Sequence, residues 1–197
     1  MKKYEFTGEV KVLWGHTLHR IRAVIDFGDV KAGDLGGWIE KEENLSHERN
    51  AWVCDDAEVW GNATVCDDAW VCGNAKVCGN AKVCGNAKVC GNAKVCDDAE
   101  VWGNAKVCDD AKVWGNAKVL GAYHCLIAGP IGSRNDFTTF FRSKNLEICV
   151  TCGCFRGNID AFAEKVKETH GENEHAKRYM AAIEFAKACI DLTPEAE

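Results

Sequence analysis

At 197 residues the chain has room for one elongated domain or two small ones, and 30 acidic against 24 basic side chains leave a net charge of −6. No segment is strongly basic, which argues against binding a nucleic-acid backbone. No apolar run is long enough for a membrane helix, and the opening Met1-Lys2-Lys3-Tyr4-Glu5-Phe6 is no secretory leader, so the expected location is the cytoplasm.

Residues 1–50 read as irregular β. Ile21, Ala23, Ile25 and Phe27 alternate with Arg20, Arg22, Val24 and Asp26, the pattern of a half-buried strand. Gly28-Asp29 and Gly33-Asp34 are turn signals. Leu45 follows Ile39 by six residues, a degenerate first unit of what comes next. The segment is expected to be a cap with one or two imperfect coils, covering an open sheet edge.

From residue 51 to 119, Ala-x-Val recurs every six residues without a break, from Val53 to Val119. Side chains alternate along a strand, so Ala and Val point to one face and their neighbours to the other. The step between units is Gly-Asn seven times and Asp-Asp four times, residue types that turn the chain. Each hexad is therefore a short strand and a corner, and three corners close an eighteen-residue coil. Twelve hexads make four coils over 51–122, a prism about 19 Å long at a strand spacing of about 4.8 Å. In this register Val53, Val71, Val89 and Val107 form one column, and so do Cys54, Cys72, Cys90 and Cys108. Cys66 stacks with Cys84 and Cys78 with Cys96. These eight are read as outward-facing filler kept as thiols. Glu58, Lys76, Lys94 and Lys112 form an outer column, and no two Asp-Asp pairs stack directly.

This hexad resembles the hexapeptide-repeat proteins, which fold as a left-handed parallel β-helix, and the likeness covers all twelve units. The resemblance implies a mainly β fold and self-association, with a homotrimer favoured. Trp60, Trp114 and Trp102 are candidate contacts. The string Leu18-His19-Arg20-Ile21-Arg22-Ala23 and the stretch Asp26–Glu40 resemble the start of hexapeptide-repeat proteins of bacteriophages and prophages. That likeness implies a phage type, acting in the host cytoplasm, without assigning an activity.

After Val119 the repeat dissolves. Gly129-Pro130 and Gly132-Ser133 mark a break, and Thr138–Phe141 and Leu146–Cys152 read as a hairpin. Two helices follow. Ile159, Phe162 and Val166 line one behind an Asn158 cap, with Gly171 as its stop. Ala176, Tyr179, Ile183, Ala186 and Ile190 line the other, where Glu174 can pair with Arg178. Residues 123–197 are thus expected to be an α+β module whose core is too small to stand alone and which leans on the last coil.

Three chemistries are open to such a chain. Acyl or acetyl transfer is what many relatives of this fold perform, with a catalytic histidine near the coils. Here no histidine lies between His47 and His124 and no loop interrupts the hexads, and the zinc histidines of carbonic-anhydrase-like relatives are absent from the repeat. Metal binding by Cys149, Cys152 and Cys154 is a weaker alternative, because a strand puts Cys149 on the opposite face from Cys152. The third is an anion pocket. Ser133 and Arg134 on a glycine turn, with Thr138 and Thr139 beyond, suit a phosphate, and Phe140, Phe141 and Phe155 can floor it. The expectation is a non-enzymatic scaffold with no cofactor and no metal. Its module binds a host protein or a small anionic ligand through Ser133, Arg134, Thr138, Thr139 and Phe155, with sequestration of a host defence nucleotide as one role. The alternatives are an acyltransferase and a purely structural spacer.

Overall fold

Burying the small face of every hexad builds the molecule. In the computed structural model, which describes residues 1–195, every Ala and Val of the repeat from Ala51 to Val119 is 0% exposed. The last two residues of the expected 123–197 module, Ala196 and Glu197, lie outside the described residues. Twelve two-residue strands, β4 (Trp52–Val53) to β15 (Lys118–Val119), stack in parallel with an eighteen-residue register. Val53, Val71, Val89 and Val107 align in one sheet, as expected. Ile39 pairs with Val59 and Leu45 bridges to Val65, so the degenerate unit is a true part of the helix and the solenoid has about five turns.

The corners explain their two spellings. Gly in Gly-Asn, and the first Asp of each Asp-Asp pair, have positive φ, which Asp tolerates better than most residues. The Asp side chain then adds a bond that Gly lacks. Asp55, Asp67 and Asp97 accept the N–H groups of Gly73, Gly85 and Gly115 in the next coil. At the second position Asn side chains form ladders. Asn62 donates to Asn80 and Asn80 to Asp98, and Asn74 donates to Asn92 and Asn92 to Asp110. A carboxylate only accepts, so each of these ladders ends on its Asp.

The start of the chain is more ordered than irregular β. β1 (Tyr4–Leu13) and β2 (His16–Ala23) form an antiparallel hairpin, where only a strand near Ile21 was expected, and β3 (Leu35–Ile39) joins it to the solenoid in a seven-stranded sheet. Ile21 and Ala23 are buried as expected, but the strand stops there, and Ile25 and Phe27 lie in the loop beyond. The hairpin also fills the open end. Buried Lys3 donates through Nζ to the Ala51 carbonyl at 2.6 Å, and Tyr4 Oη donates to the Leu45 carbonyl at 2.8 Å. Burial pulls the Lys3 ammonium down to about 8.

At the other end, β16 (Cys125–Ile131), β17 (Asp136–Arg142), β18 (Ile148–Cys152) and β19 (Phe155–Asn158) form one antiparallel sheet in that order. The expected hairpin is its middle, and a further strand flanks it on either side. Helices α1 (Ile159–His170) and α2 (Glu174–Cys189) cover this sheet with the expected residues inward, and Asn158 and Asn173 cap them. Glu174 pairs with Lys177 rather than with Arg178. The module does lean on the last coil. Phe141 enters the solenoid core, and Lys144 N–H donates to the Asn116 carbonyl. Among the described residues no helix is long and apolar enough to cross a membrane.

Two expectations about the outward slot are corrected. The repeat cysteines are not uniformly outward thiols. Cys84 and Cys96 are buried, and Cys54–Cys72 and Cys66–Cys84 are disulfides. Of the tryptophans offered for self-association, Trp60 is buried under Trp14, and Trp114 lies beneath Arg156, whose guanidinium sits 3.6 Å from the ring centre. Trp102 is the exposed one.

Candidate functional site

The glycine turn after β16, the turn between β18 and β19, and the facing sides of α1 and α2 enclose a cavity of about 210 Å³. Ser133 and Arg134 come from the first turn. Gly153, Cys154 and Phe155 come from the second, and Lys165, His170 and Tyr179 from the helices. Two glycines make room for it. Gly132 has φ 73°, and a Cβ there would lie 1.9 Å from the Tyr179 hydroxyl. Gly153 has φ 57°, and a Cβ there would lie 2.9 Å from Arg134 Nη1. The guanidinium therefore lies against the second turn, at the mouth of the cavity.

The electrostatics favour an anion. Arg134 and Lys165 face a single lining carboxylate, Asp136. Arg134 makes no ion pair among the described residues, whereas Lys165 also reaches Glu168 at 2.7 Å on the exposed helix face. Burial, with Cys152 beside it, pushes the Tyr179 phenol up to about 12, so it stays protonated and able to donate near neutral pH. The Cys152 sulfur and the Tyr179 oxygen stand 3.6 Å apart. His170 stacks on Tyr179 with ring centres 5.8 Å apart. The pocket thus holds two cations, a neutral phenol and an imidazole.

Three of the five expected ligand residues, Ser133, Arg134 and Phe155, line this cavity. Thr138 and Thr139 do not, because both are buried in the sheet. Thr138 donates to Cys152 Sγ at 3.2 Å, and Thr139 Oγ1 accepts the Lys112 N–H at 3.0 Å, tying the module to the solenoid. Phe140 and Phe141 are not its floor either. They point to opposite sides of β17, Phe140 into the module core and Phe141 into the solenoid. Nor do the three β18-region cysteines converge. Cys149 packs toward the solenoid, Cys152 toward α2, and Cys154 is exposed in the pocket.

Lys165, His170, Tyr179 and Asp136 carry no local motif that marks them for a pocket. The available signal is position: Phe162, Lys165, Val166 and Thr169 follow helical spacing, so Lys165 and Thr169 border the buried stripe where it meets the sheet edge.

No known family profile matches the chain. A 42-residue stretch, 21% of this chain, is 45% identical to "Uncharacterized acetyltransferase YdcK" of Escherichia coli (strain K12) and covers 13% of that protein. The similarity is distant and partial. It brings in an acetyltransferase and carries no link to phages.

Proposed function

We propose that this chain is an acyltransferase of the hexapeptide-repeat kind, with its reacting groups in the C-terminal module rather than among the coils. The observation that carries the reading is the stretch of similarity to a protein named as an acetyltransferase. It favours the enzymatic alternative over the non-enzymatic scaffold expected from the bare coils. The absence of histidine from Val53 to Val119 then restricts where proton transfer can occur. The module pocket supplies what acyl transfer needs. Arg134 and Lys165 give the cavity the positive charge that draws in an anionic thioester donor. Protonated Tyr179 donates to the thioester carbonyl as negative charge develops on its oxygen. His170 takes the proton from the acceptor nucleophile.

A second reading rests on size. A cavity of about 210 Å³ falls below the roughly 300–1,000 Å³ typical of pockets that enclose a drug-sized ligand. That suits a small anion bound without turnover. The two readings part on one experiment, in which coenzyme A released from acetyl-coenzyme A is quantified by chromatography with amine and hydroxyl acceptors. The acyltransferase reading expects release above background, lost about 100-fold or more in His170→Ala. It also expects an apparent affinity about tenfold or more weaker in Arg134→Ala. Phosphate binding with no coenzyme A release in any reaction would favour the second reading. Turnover indifferent to both substitutions would place the chemistry elsewhere.

A further inference from the structure

The cysteines of the repeat obey a rule that the two disulfides only begin to show. Eight of the thirteen cysteines lie in the slot after Val, at positions 54, 66, 72, 78, 84, 90, 96 and 108. Start at Cys54 and pair each cysteine with the one eighteen residues on, opening a new pair every twelve residues. The pairs are 54–72, 66–84, 78–96 and 90–108, and no cysteine of the repeat is left over. Eighteen residues is one coil, so both members of a pair stand on adjacent parallel strands, where the two bonded pairs have Cα atoms 4.8 Å apart. That separation lies within the range a disulfide spans. Twelve residues is two thirds of a coil, so successive pairs fall on successive corners of the prism.

The first two pairs are bonded. In the third, Cys78 Sγ and Cys96 Sγ stand 2.7 Å apart. In the fourth, Cys90 and Cys108 directly follow Val89 and Val107, which pair in register on adjacent parallel strands as the valines before each bonded pair do. We propose that Cys78–Cys96 and Cys90–Cys108 are disulfide-forming sites. They complete a set of four inter-coil cross-links in which each closed loop overlaps the next by one hexad. No point between Cys54 and Cys108 then lies outside a cross-linked loop. The competing pair Cys72–Cys90 would strand Cys54 and Cys108, and a Cys108–Cys125 bond would strand Cys90.

The chemistry balances with a small-molecule disulfide such as oxidised glutathione. The Cys78 thiolate attacks one sulfur of the oxidant and releases one glutathione thiolate. Cys96 then attacks the Cys78 sulfur of the mixed disulfide and releases the second. The protons lost by the two cysteines go to the two leaving thiolates, and the oxidant is reduced by the two electrons that the cysteines lose. A cross-linked repeat of this kind fits a protein that meets an oxidising environment. In that case the cysteines are a built staple and not repeat filler.

Disulfide mapping tests this on the full chain. The reduced protein has thirteen thiols. After oxidation with oxidised glutathione, removal of excess reagent and denaturing alkylation, five should remain, those of Cys125, Cys149, Cys152, Cys154 and Cys189. Trypsin cuts after the repeat lysines. It should release peptide 77–82 joined to 95–106, and peptide 89–94 joined to 107–112. In Cys78→Ser the same treatment should leave six thiols, Cys96 among them. Nine thiols after oxidation of the wild type would limit the set to two bonds and overturn the proposal. Peptide 89–94 joined to 50–76, a Cys108–Cys125 link, or Cys96 re-pairing in Cys78→Ser would do the same. The oxidised protein should also melt at a higher temperature than the reduced one.

Discussion

Val89 stands midway along the prism, between Val71 and Val107 in its column, and is 0% exposed. Val89→Asp removes apolar burial worth about 2 kcal/mol. An aspartate inside the prism meets only aliphatic neighbours, so it folds protonated. At pH 7, holding a carboxyl protonated three units above its ordinary value near 3.9 costs about 4 kcal/mol. Leaving the neutral acid without a partner adds about 1–3 kcal/mol. The sum, about 7–9 kcal/mol, is of the size of a domain's whole stability. Lys88→Asp, one residue away, is different in kind. Lys88 is exposed and aligned with Lys106, so an acid there replaces a repulsion and should shift stability by less than about 0.5 kcal/mol. Urea titration of both variants checks the contrast. The folded-state pKa of the introduced carboxyl is raised, so its penalty is smallest below the unfolded pKa and grows as pH rises above it. Val89→Asp should therefore recover part of its loss near pH 4. Equal midpoints for the two variants, or a Val89→Asp defect indifferent to pH, would refute the inward assignment of the repeat.

Removing residues 72–89, one full coil, under reducing conditions should leave a folded protein with one strand fewer per solenoid sheet, because a coil touches only its neighbours. Removing 72–77 should abolish cooperative unfolding, as read by circular dichroism, because the ends then meet out of register. Glu58 is buried, which opposes its ionisation. Even so, ion pairs with Lys11 and Lys76, both with N···O 2.6 Å, hold its carboxyl below the usual range. Its contribution is present above the unfolded pKa and is lost as pH falls through the lowered folded value. Glu58→Gln should therefore lose about 1–3 kcal/mol at pH 7 and little in acid below that value, as thermal melts at the two pH values would show. Gly132→Ala adds a methyl at a positive φ and against the Tyr179 hydroxyl. It should cost stability and close the pocket, whereas a variant that still binds acetyl-coenzyme A normally would show that Tyr179 is not part of the site.

The solenoid was legible because a period of six with an inward Ala and Val admits few packings, and even Ile39 and Leu45 were recognisable by spacing. β1 was not. Tyr4, Phe6, Val10 and Val12 do alternate with Glu5, Thr7, Glu9 and Lys11, but Gly8 and a register shift interrupt the run, the apolar side past Tyr4 is exposed, and the strand is held by pairing with β2. The cysteine slot misleads for a related reason. Alternation places a side chain outward, but the stacking of coils turns an outward row into sulfurs that touch. At the candidate site, Arg134 and Ser133 were visible because a glycine turn announces itself locally. Lys165, His170 and Tyr179 reach the cavity only through the packing of two helices on the sheet, which no window of sequence contains. Thr138 and Thr139 are near the pocket only in sequence, since β17 runs on into the sheet and buries them.

The central claim, that chemistry belongs to the module and not to the coils, is tested most directly by a crystal structure with acetyl-coenzyme A bound. The account predicts density for the donor's acyl end in the cavity, with its thioester toward Tyr179 and His170 and the rest of the donor leaving past Arg134 at the mouth. Density along the faces of the solenoid between β4 and β15, or an empty module in a crystal whose protein turns over the donor, would contradict it.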